Sequence, residues 1–135
     1  MGNWKMNGSA ELVDVFGEAF SQNGLRSHAA EMGIAVPACY LDHASKNWDM
    51  YGVKIGAQNL SSHVSGAFTG ETSPVMLNDL KTNFVILGHS ERRTLFGETN
   101  QDVSDKAVNA IDHNLLPIIC VGEQEDERLK EIHES

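Results

Sequence analysis

The chain has 135 residues, of which 41% are hydrophobic and 21% are charged, as in an ordinary soluble globular domain. Its formal net charge of −9, with no Lys/Arg-rich run to offset it, argues against nucleic acid as a partner. No apolar run approaches the roughly 18 residues of a membrane span, and no basic and then apolar leader opens the chain. The composition therefore predicts neither a membrane protein nor a secreted one.

Short apolar runs alternate with helical patterns along the chain, which predicts a parallel sheet built from β–α units. After the first run, apolar residues recur at helical spacing and Ser9 is a plausible N-cap. Further along, Ser73 followed by Pro74 is typical of an N-cap and a first helical position. The predicted strands are Gly2–Met6, Gly33–Pro37, Val53–Gln58, Asn83–Gly88 and Pro117–Val121. The predicted helices occupy residues 12–20, 41–49, 74–81 and 103–111, and the acidic tail 123–135 could begin another.

The two cysteines, Cys39 and Cys120, lie far apart within or beside apolar runs. We expect buried, reduced thiols and hence a cytoplasmic location. No cofactor is expected. Five histidines show no spacing typical of metal ligands, so we predict no metal site and expect these side chains on the surface: His28, His43, His63, His113 and His133.

The run Phe84-Val-Ile-Leu-Gly-His-Ser-Glu-Arg-Arg93 is the most informative stretch. Its apolar half predicts a fully buried strand. Its polar half follows the carboxyl end of that strand, where parallel α/β folds keep their chemistry. A helix starting at Ser90 would direct its positive end at His89 and disfavour an imidazolium there. The alternative interpretation is a histidine that is hydrogen-bonded only for stability.

The first strand, Gly2-Asn-Trp-Lys-Met-Asn-Gly8, also ends in a cationic and amide cluster. Asn3 and Lys5 share one face of this strand by the period of two. A lysine on the inward face of a buried strand is costly unless it meets an anion. The alternative is a lysine at the exposed end of the strand that is simply solvated.

Together these segments resemble the triosephosphate isomerase family. Three further motifs match that family in the expected order, Gly56-Ala-Gln-Asn59, Gly66-Ala-Phe-Thr-Gly-Glu71 and Cys120-Val-Gly-Glu123, although the stretch Ser21–Trp48 is only loosely similar. Family members are (β/α)8 barrels of about 250 residues. The resemblance therefore implies an incomplete (β/α)8 barrel of roughly the first five parallel β–α units. We expect one partial domain, residues 1–135, truncated at both ends, from a partial reading frame or a shortened chain, with a naturally short protein as the alternative.

The resemblance also implies a reaction and the residues that carry it. The family interconverts dihydroxyacetone phosphate and glyceraldehyde 3-phosphate, in glycolysis and gluconeogenesis, by proton transfer through an enediolate. His89 corresponds to the neutral histidine electrophile that works beside a glutamate base in this family. Lys5 corresponds to the group that meets the substrate's negative charge and carbonyl oxygen, with Asn3 as a supporting amide. Glu91 is expected to pair with Lys5, and Ser90 to be a cap and a neighbour of the substrate.

A long Ser/Gly-rich loop, Leu60–Thr72, is functional by the same resemblance. In the family this loop projects into a partner subunit, which implies a homodimer. Thr69 is then expected to reach the partner's active site, and Glu71 to meet the partner's equivalent of Arg92. The alternative is an ordinary surface loop.

The family's glutamate base follows strand 6, its lid lies beyond that strand, and its phosphate-binding turns follow strands 7 and 8. None of these elements is expected in the 135 residues, so the isolated chain is predicted to be inactive, with weak or no binding of the triose phosphate. Glu123 and Glu127 follow the fifth strand and are not candidates for the base. The alternative function is a non-catalytic half-barrel that self-associates through the open edges of its first and fifth strands. Another sugar-phosphate barrel enzyme is disfavoured by the ordered motifs.

Overall fold

The computed structural model describes residues 1–23 and 31–121. These residues form a single parallel sheet in which each strand pairs with the next one along the chain. The predicted parallel architecture of alternating strands and helices is therefore confirmed. The strands are β1 Gly2–Asn3, β2 Gly33–Val36, β3 Lys54–Ala57, β4 Phe84–Leu87 and β5 Leu116–Ile119.

Five α-helices connect the strands in the described residues, and two of the predicted N-caps are present. The Ser9 hydroxyl accepts a hydrogen bond from the Leu12 amide at 3.0 Å. The Ser73 hydroxyl accepts one from the Met76 amide at 3.3 Å, with Pro74 as the first helical residue. The helices are α1 Ala10–Asn23, α2 Leu41–Trp48, α3 Pro74–Asp79, α4 Ser90–Phe96 and α5 Asn100–Asp112. The helix predicted in the tail 123–135 lies outside the described residues.

Several predicted boundaries are wrong, and the backbone gives the reason. The first strand ends at Asn3 rather than Met6, because Lys5 adopts a left-handed conformation with φ 57° that no strand can contain. Likewise α3 ends at Asp79 rather than Lys81, because Lys81 also has a φ of 57°. The fifth strand spans Leu116–Ile119 instead of Pro117–Val121.

One face of the sheet packs against the helices and contains the larger core. Trp48 of α2 is fully buried there, and its indole N–H donates to the carbonyl of Val13 at 2.9 Å. The rings of Trp4, Phe16 and Phe20 surround it at centroid distances of 5.6 to 6.0 Å. Because an aromatic cluster of this size buries much apolar area, it anchors α1 and α2 to the start of the sheet.

The opposite face of the sheet holds a smaller cluster built around Phe84. This ring lies across the neighbouring strands at positions where they carry glycine, since a Cβ on Gly56 would overlap it and one on Gly33 would meet it at 3.0 Å. The other buried members of this cluster are Ala35 and Ile86. The pattern follows from the strand period of two, which sends alternate side chains of β4 to opposite faces.

The prediction of two buried thiols is wrong for Cys39, which is exposed in a short 3-10 turn, Ala38–Tyr40. Cys120 packs half-buried against the Phe84 cluster, and burial raises the pKa of its thiol, against the opposing charge of Arg93. Both cysteines are free. In the part of the chain that the structure describes, no helix is long and apolar enough to cross a membrane.

Candidate active site

A cavity of about 480 Å³ opens at the carboxyl ends of β1, β3 and β4. Parallel strands bring the residues that follow them to one edge of the sheet, so side chains distant in sequence meet there. The structure thus brings together Asn3, Lys5, His89 and Glu91, all of which line this cavity. Ser90 is absent from the lining of this cavity, in the described residues, although it directly follows His89.

His89 lies between β4 and α4, and its ring caps the helix. The Nδ1 atom accepts a hydrogen bond from the Glu91 amide at 3.1 Å. Because an acceptor nitrogen carries no proton, this bond belongs to a neutral imidazole whose proton is on Nε2. The prediction that Ser90 caps the helix is wrong, since the histidine ring occupies that role and Ser90 is the first helical residue. The predicted helix start at Ser90 is confirmed.

Lys5 and Glu91 form the ion pair that the resemblance predicted. The Lys5 Nζ lies 2.8 Å from the Glu91 Oε1, and the two side chains are 54% and 45% exposed. The hydrogen bond from Lys5, reinforced by the positive charge of Lys5, holds the pKa of Glu91 below its ordinary value. The carboxylate therefore stays ionised and keeps the ammonium group next to the cavity.

Amide side chains hold Lys5 in its left-handed conformation. Asn3 Oδ1 accepts a hydrogen bond from the Lys5 amide at 2.9 Å. Gln58 Nε2 donates to the Lys5 carbonyl at 2.8 Å and to Asn3 Oδ1 at 3.3 Å. Sequence reasoning gave Gln58 no role, although its position just after β3 was a usable signal, since such residues reach the same edge as those after β1.

A buried carboxylate, Glu98, organises the residues behind the cavity and was not predicted. Its side chain is 4% exposed, and its Oε2 lies 3.0 Å from the Arg92 Nε and 2.7 Å from the Lys106 Nζ. Lys106 also donates to Asn59 Oδ1, which ties α5 to the end of β3. Burial raises the pKa of Glu98, but the hydrogen bonds from Lys106 and Arg92 outweigh it and leave that pKa below the ordinary value of 4.5. Arg92 and Lys106 lie only six and eight residues from Glu98 in the chain, but no periodicity or motif indicates that this carboxylate is buried.

The comparison with known proteins agrees with this geometry. The family model described as triosephosphate isomerase matches residues 1–135. The chain belongs to the triosephosphate isomerase family. The triosephosphate isomerase of Nitrosococcus oceani is 46% identical over 99% of this chain and 54% of its own length. That of Shewanella woodyi is 45% identical over 90% of this chain and 49% of its own length, and that of Chromohalobacter salexigens 46% identical over the same shares.

The chain spans about half the length of the curated triosephosphate isomerases that it matches. Together with the five parallel strands of the described residues, this agrees with an incomplete (β/α)8 barrel. The predicted family and fold class are both confirmed. The cavity therefore lies where barrel enzymes carry their active sites, at the carboxyl ends of the strands.

The loop that the triosephosphate isomerase resemblance assigned to a partner subunit is folded on itself in this chain. Its ends meet through a bond from the Ser61 amide to the Thr72 carbonyl at 2.8 Å. Within it, the rings of His63 and Phe68 stack at 4.0 Å with an interplanar angle of 9°. Asn109 of α5 donates to the Ser61 carbonyl at 2.8 Å and fixes the base of the loop.

The residues predicted to lie at a subunit interface differ in exposure and in their partners within the chain. Thr69 and Glu71 are exposed, and the Glu71 side of the loop borders the cavity. Arg92 is bound within its own chain by Glu98, and its guanidinium lies 4.9 Å from the centre of the Phe96 ring.

His43, His63 and His113, which the structure describes, each have a side-chain or backbone partner. His43 contacts the Asp14 carboxylate at 2.7 Å, and His113 Nδ1 contacts the Asn109 carbonyl at 2.8 Å. His28 and His133 lie outside the described residues. Among residues 1–23 and 31–121, no group of three or more His, Cys, Asp or Glu side chains is arranged to hold a metal ion.

Proposed function

We propose that this chain carries the electrophilic half of a triosephosphate isomerase active site. The reaction is the interconversion of dihydroxyacetone phosphate and glyceraldehyde 3-phosphate through an enediolate. The observation that carries the proposal is that Lys5 and His89 line one cavity while the Nδ1 of His89 accepts a hydrogen bond. The histidine is thereby held as an Nε2–H donor beside a cation.

His89 and Lys5 act on the developing charge of the substrate. As the proton leaves carbon, negative charge grows on the carbonyl oxygen, and fixed donors stabilise that charge in the transition state. His89 contributes its Nε2–H as a neutral electrophile, and Lys5 contributes a positive charge close to that oxygen and the phosphate. Glu91 holds the Lys5 ammonium in place, and Asn3 and Gln58 hold its backbone.

The base, the lid and the phosphate-binding turns belong to a segment equivalent to strands 6 to 8 of the family. We therefore propose that the 135-residue polypeptide by itself turns over no triose phosphate and that Glu123 and Glu127 do not replace the base. General base catalysis contributes about 10²–10⁴-fold. Its loss, together with loss of the phosphate grip, leaves the two electrophiles without a substrate to act on.

Complementation tests this proposal. The purified chain is assayed for isomerase turnover alone and after mixing with the C-terminal half of the Nitrosococcus oceani relative, which is 46% identical in the matched region. We expect no turnover from either part and measurable turnover from the mixture. His89→Ala and Lys5→Ala should each lower the recovered rate by about 10²-fold or more, because each removes a group that stabilises the transition-state charge.

Lys46→Ala is the matched control for Lys5→Ala. Lys46 forms an exposed pair with Asp42 on α2, at 3.0 Å and away from the cavity, so its loss should leave the recovered rate unchanged. Turnover by the chain alone that disappears on His89→Ala would refute the claim of inactivity. A mixture whose turnover is insensitive to His89→Ala would refute the assignment of the electrophile.

We also propose a homo-oligomer in the cytoplasm. The exposed position of Thr69 and Glu71 on a folded loop supports a contact with a second copy, in which Glu71 meets the partner's equivalent of Arg92. The two free cysteines support a reducing compartment.

A further inference from the structure

Gly88 is the single residue that connects β4 to His89. Its φ of +68° lies in the left-handed region, which glycine adopts at no steric cost. There is no space for a side chain either, since a Cβ would lie 2.7 Å from Arg93 Nη2 and 2.8 Å from Val103 Cγ2. A glycine in this place leaves the next residue free to swing about two soft dihedral angles unless something else holds the backbone.

Two charged side chains hold that backbone from opposite sides. The Gly88 amide donates to Glu98 Oε1 at 3.0 Å, and the Gly88 carbonyl accepts from Arg93 Nε at 2.8 Å. The amide and the carbonyl belong to the two peptide planes that flank the Gly88 Cα. Fixing both planes fixes both dihedral angles of Gly88, and with them the direction in which the chain delivers His89.

We call Arg93 and Glu98, with their two bonds to Gly88, the clamp. Each of these two side chains is itself held by further partners. Arg93 Nη1 donates to Asn100 Oδ1 at 2.6 Å, at the start of α5. Glu98 is held by the ion pairs with Arg92 and Lys106. Hydrogen bonds that involve an ionised partner are stronger than neutral ones, so the clamp is a stiff support.

We propose that Arg93 and Glu98 are positioning residues for His89, which act by locking the Gly88 backbone so that the His89 ring keeps its Nδ1 on the Glu91 amide. The catalytic part of this inference, that the clamp supports turnover, rests on the proposed function. The structural part, that the clamp fixes the orientation and tautomer of the ring, stands on this chain alone.

Nuclear magnetic resonance of the 135-residue chain tests the structural part. Long-range ¹H–¹⁵N correlations identify which ring nitrogen of His89 carries the proton. We expect a single Nε2–H tautomer in the unaltered chain. Arg93→Met keeps the aliphatic stem but removes the donor to Gly88, and should shift the His89 nitrogens toward the average of two exchanging tautomers. Arg93→Lys, which keeps a donor and a charge, should retain more of the Nε2–H form.

Thr99→Ala is the matched control. It removes the N-cap of α5, whose hydroxyl accepts from the Asp102 amide at 3.1 Å, and so weakens the same region without touching Gly88. The His89 nitrogens should not move in this variant. A single tautomer in Arg93→Met, or the same shift in Thr99→Ala, would overturn the proposal. If Arg93→Met does not fold, Arg93→Leu, which also removes the donor to the Gly88 carbonyl, takes its place, and a single Nε2–H tautomer in that folded variant would overturn the proposal.

The recovered turnover of the complemented enzyme tests the catalytic part. Arg93→Met should lower kcat on the order of tenfold with little change in KM, because misorientation of a catalytic group affects the transition state more than ground-state binding. If Arg93→Met leaves kcat unchanged although its His89 ring exchanges between tautomers, Arg93 has no positioning role in catalysis. Absence of turnover from the unaltered mixture would be a failure of the proposed function, and the spectra of the chain alone would still decide the clamp.

Discussion

At the scale of single residues, the site contains a strained backbone that its neighbours support. Lys5 has a φ of 57°, a conformation that costs a non-glycine residue about 1–2 kcal/mol. Three hydrogen bonds from or to Asn3 and Gln58 hold this conformation at the edge of the cavity. A sequence pattern of strand residues predicted that Lys5 would continue β1. One of these amides, Asn3, belongs to β1 itself, whereas Gln58 follows β3 and meets Lys5 only in the folded sheet.

The buried carboxylate gives a prediction for stability against pH. The folded chain holds the pKa of Glu98 below 4.5, so the ionised form stabilises the fold above that pH, and this contribution is lost as pH falls through the folded value. Urea unfolding between pH 3 and pH 7 should therefore show a shallower pH slope in Glu98→Gln than in the unaltered chain.

Glu18→Gln is the control for that experiment. Glu18 is exposed on α1, and the substitution changes the net charge by the same amount. Its slope should match that of the unaltered chain. Equal slopes for Glu98→Gln and the unaltered chain would show that the ion pairs with Arg92 and Lys106 do not stabilise the fold through ionisation.

At the scale of elements, α5 connects the loop Leu60–Thr72 to the body of the sheet. Its Asn109 is buried and donates to the carbonyls of Ser61 at 2.8 Å and His63 at 3.4 Å. Its Lys106 reaches Asn59, just before the loop. The loop Leu60–Thr72 is therefore fixed at its base by α5 and by the bond between its own ends. The exposed tip of the loop projects from this fixed base.

Replacing Asn109 should release this loop. We expect Asn109→Ala to increase amide hydrogen exchange and protease cleavage within residues 61–71 by about fivefold, since loss of a net hydrogen bond worth about 1 kcal/mol leaves two carbonyls to water. Exchange in β3 and β4 should change much less. Asp105→Ala, at an exposed position of the same helix, is the control. Equal protection of the loop in both variants would mean that Asn109 is not its anchor.

At the scale of the whole molecule, an apolar margin remains uncovered in the described residues. Along and just after β5, Leu116 is 63% exposed, Ile119 46% and Val121 87%. A strand edge with exposed apolar side chains is a template for pairing with another chain. This margin favours association of the 135-residue chain beyond the contact expected from the loop.

Light scattering over a range of concentrations measures this association. We expect a mean mass that rises above that of the monomer at micromolar concentrations. Ile119→Lys should reduce the rise, because a charge on an edge strand opposes pairing. Val108→Lys is the matched control, since Val108 is 56% exposed on α5 and is not part of the strand edge, and the same charge is added there. A well-folded chain that stays monomeric throughout would contradict the prediction.

The sequence predicted the parts of the fold that depend on local patterns. The buried run of β4, the start of α4 at Ser90 and the caps Ser9 and Ser73 follow from periodicity and from residue types, and the structure has them. The placement of Lys5 and His89 at one edge follows from the parallel topology. The exposure of Cys39 depends on tertiary packing, which no local pattern of the chain encodes. Glu98 binds Arg92 and Lys106, which lie within eight residues of it in the chain, but no periodicity or motif indicates that its carboxylate is buried between them.

The order of the strands has a consequence for how the molecule is made. Each strand of the described sheet pairs with the strand that precedes it in the chain, from β1 to β5. During synthesis the pairing partner of each new strand has therefore already been made, so this order allows the sheet to grow in one direction, from the amino terminus onward. Lys5 and His89 both precede β5 in the chain, so both leave the ribosome before the fifth strand does.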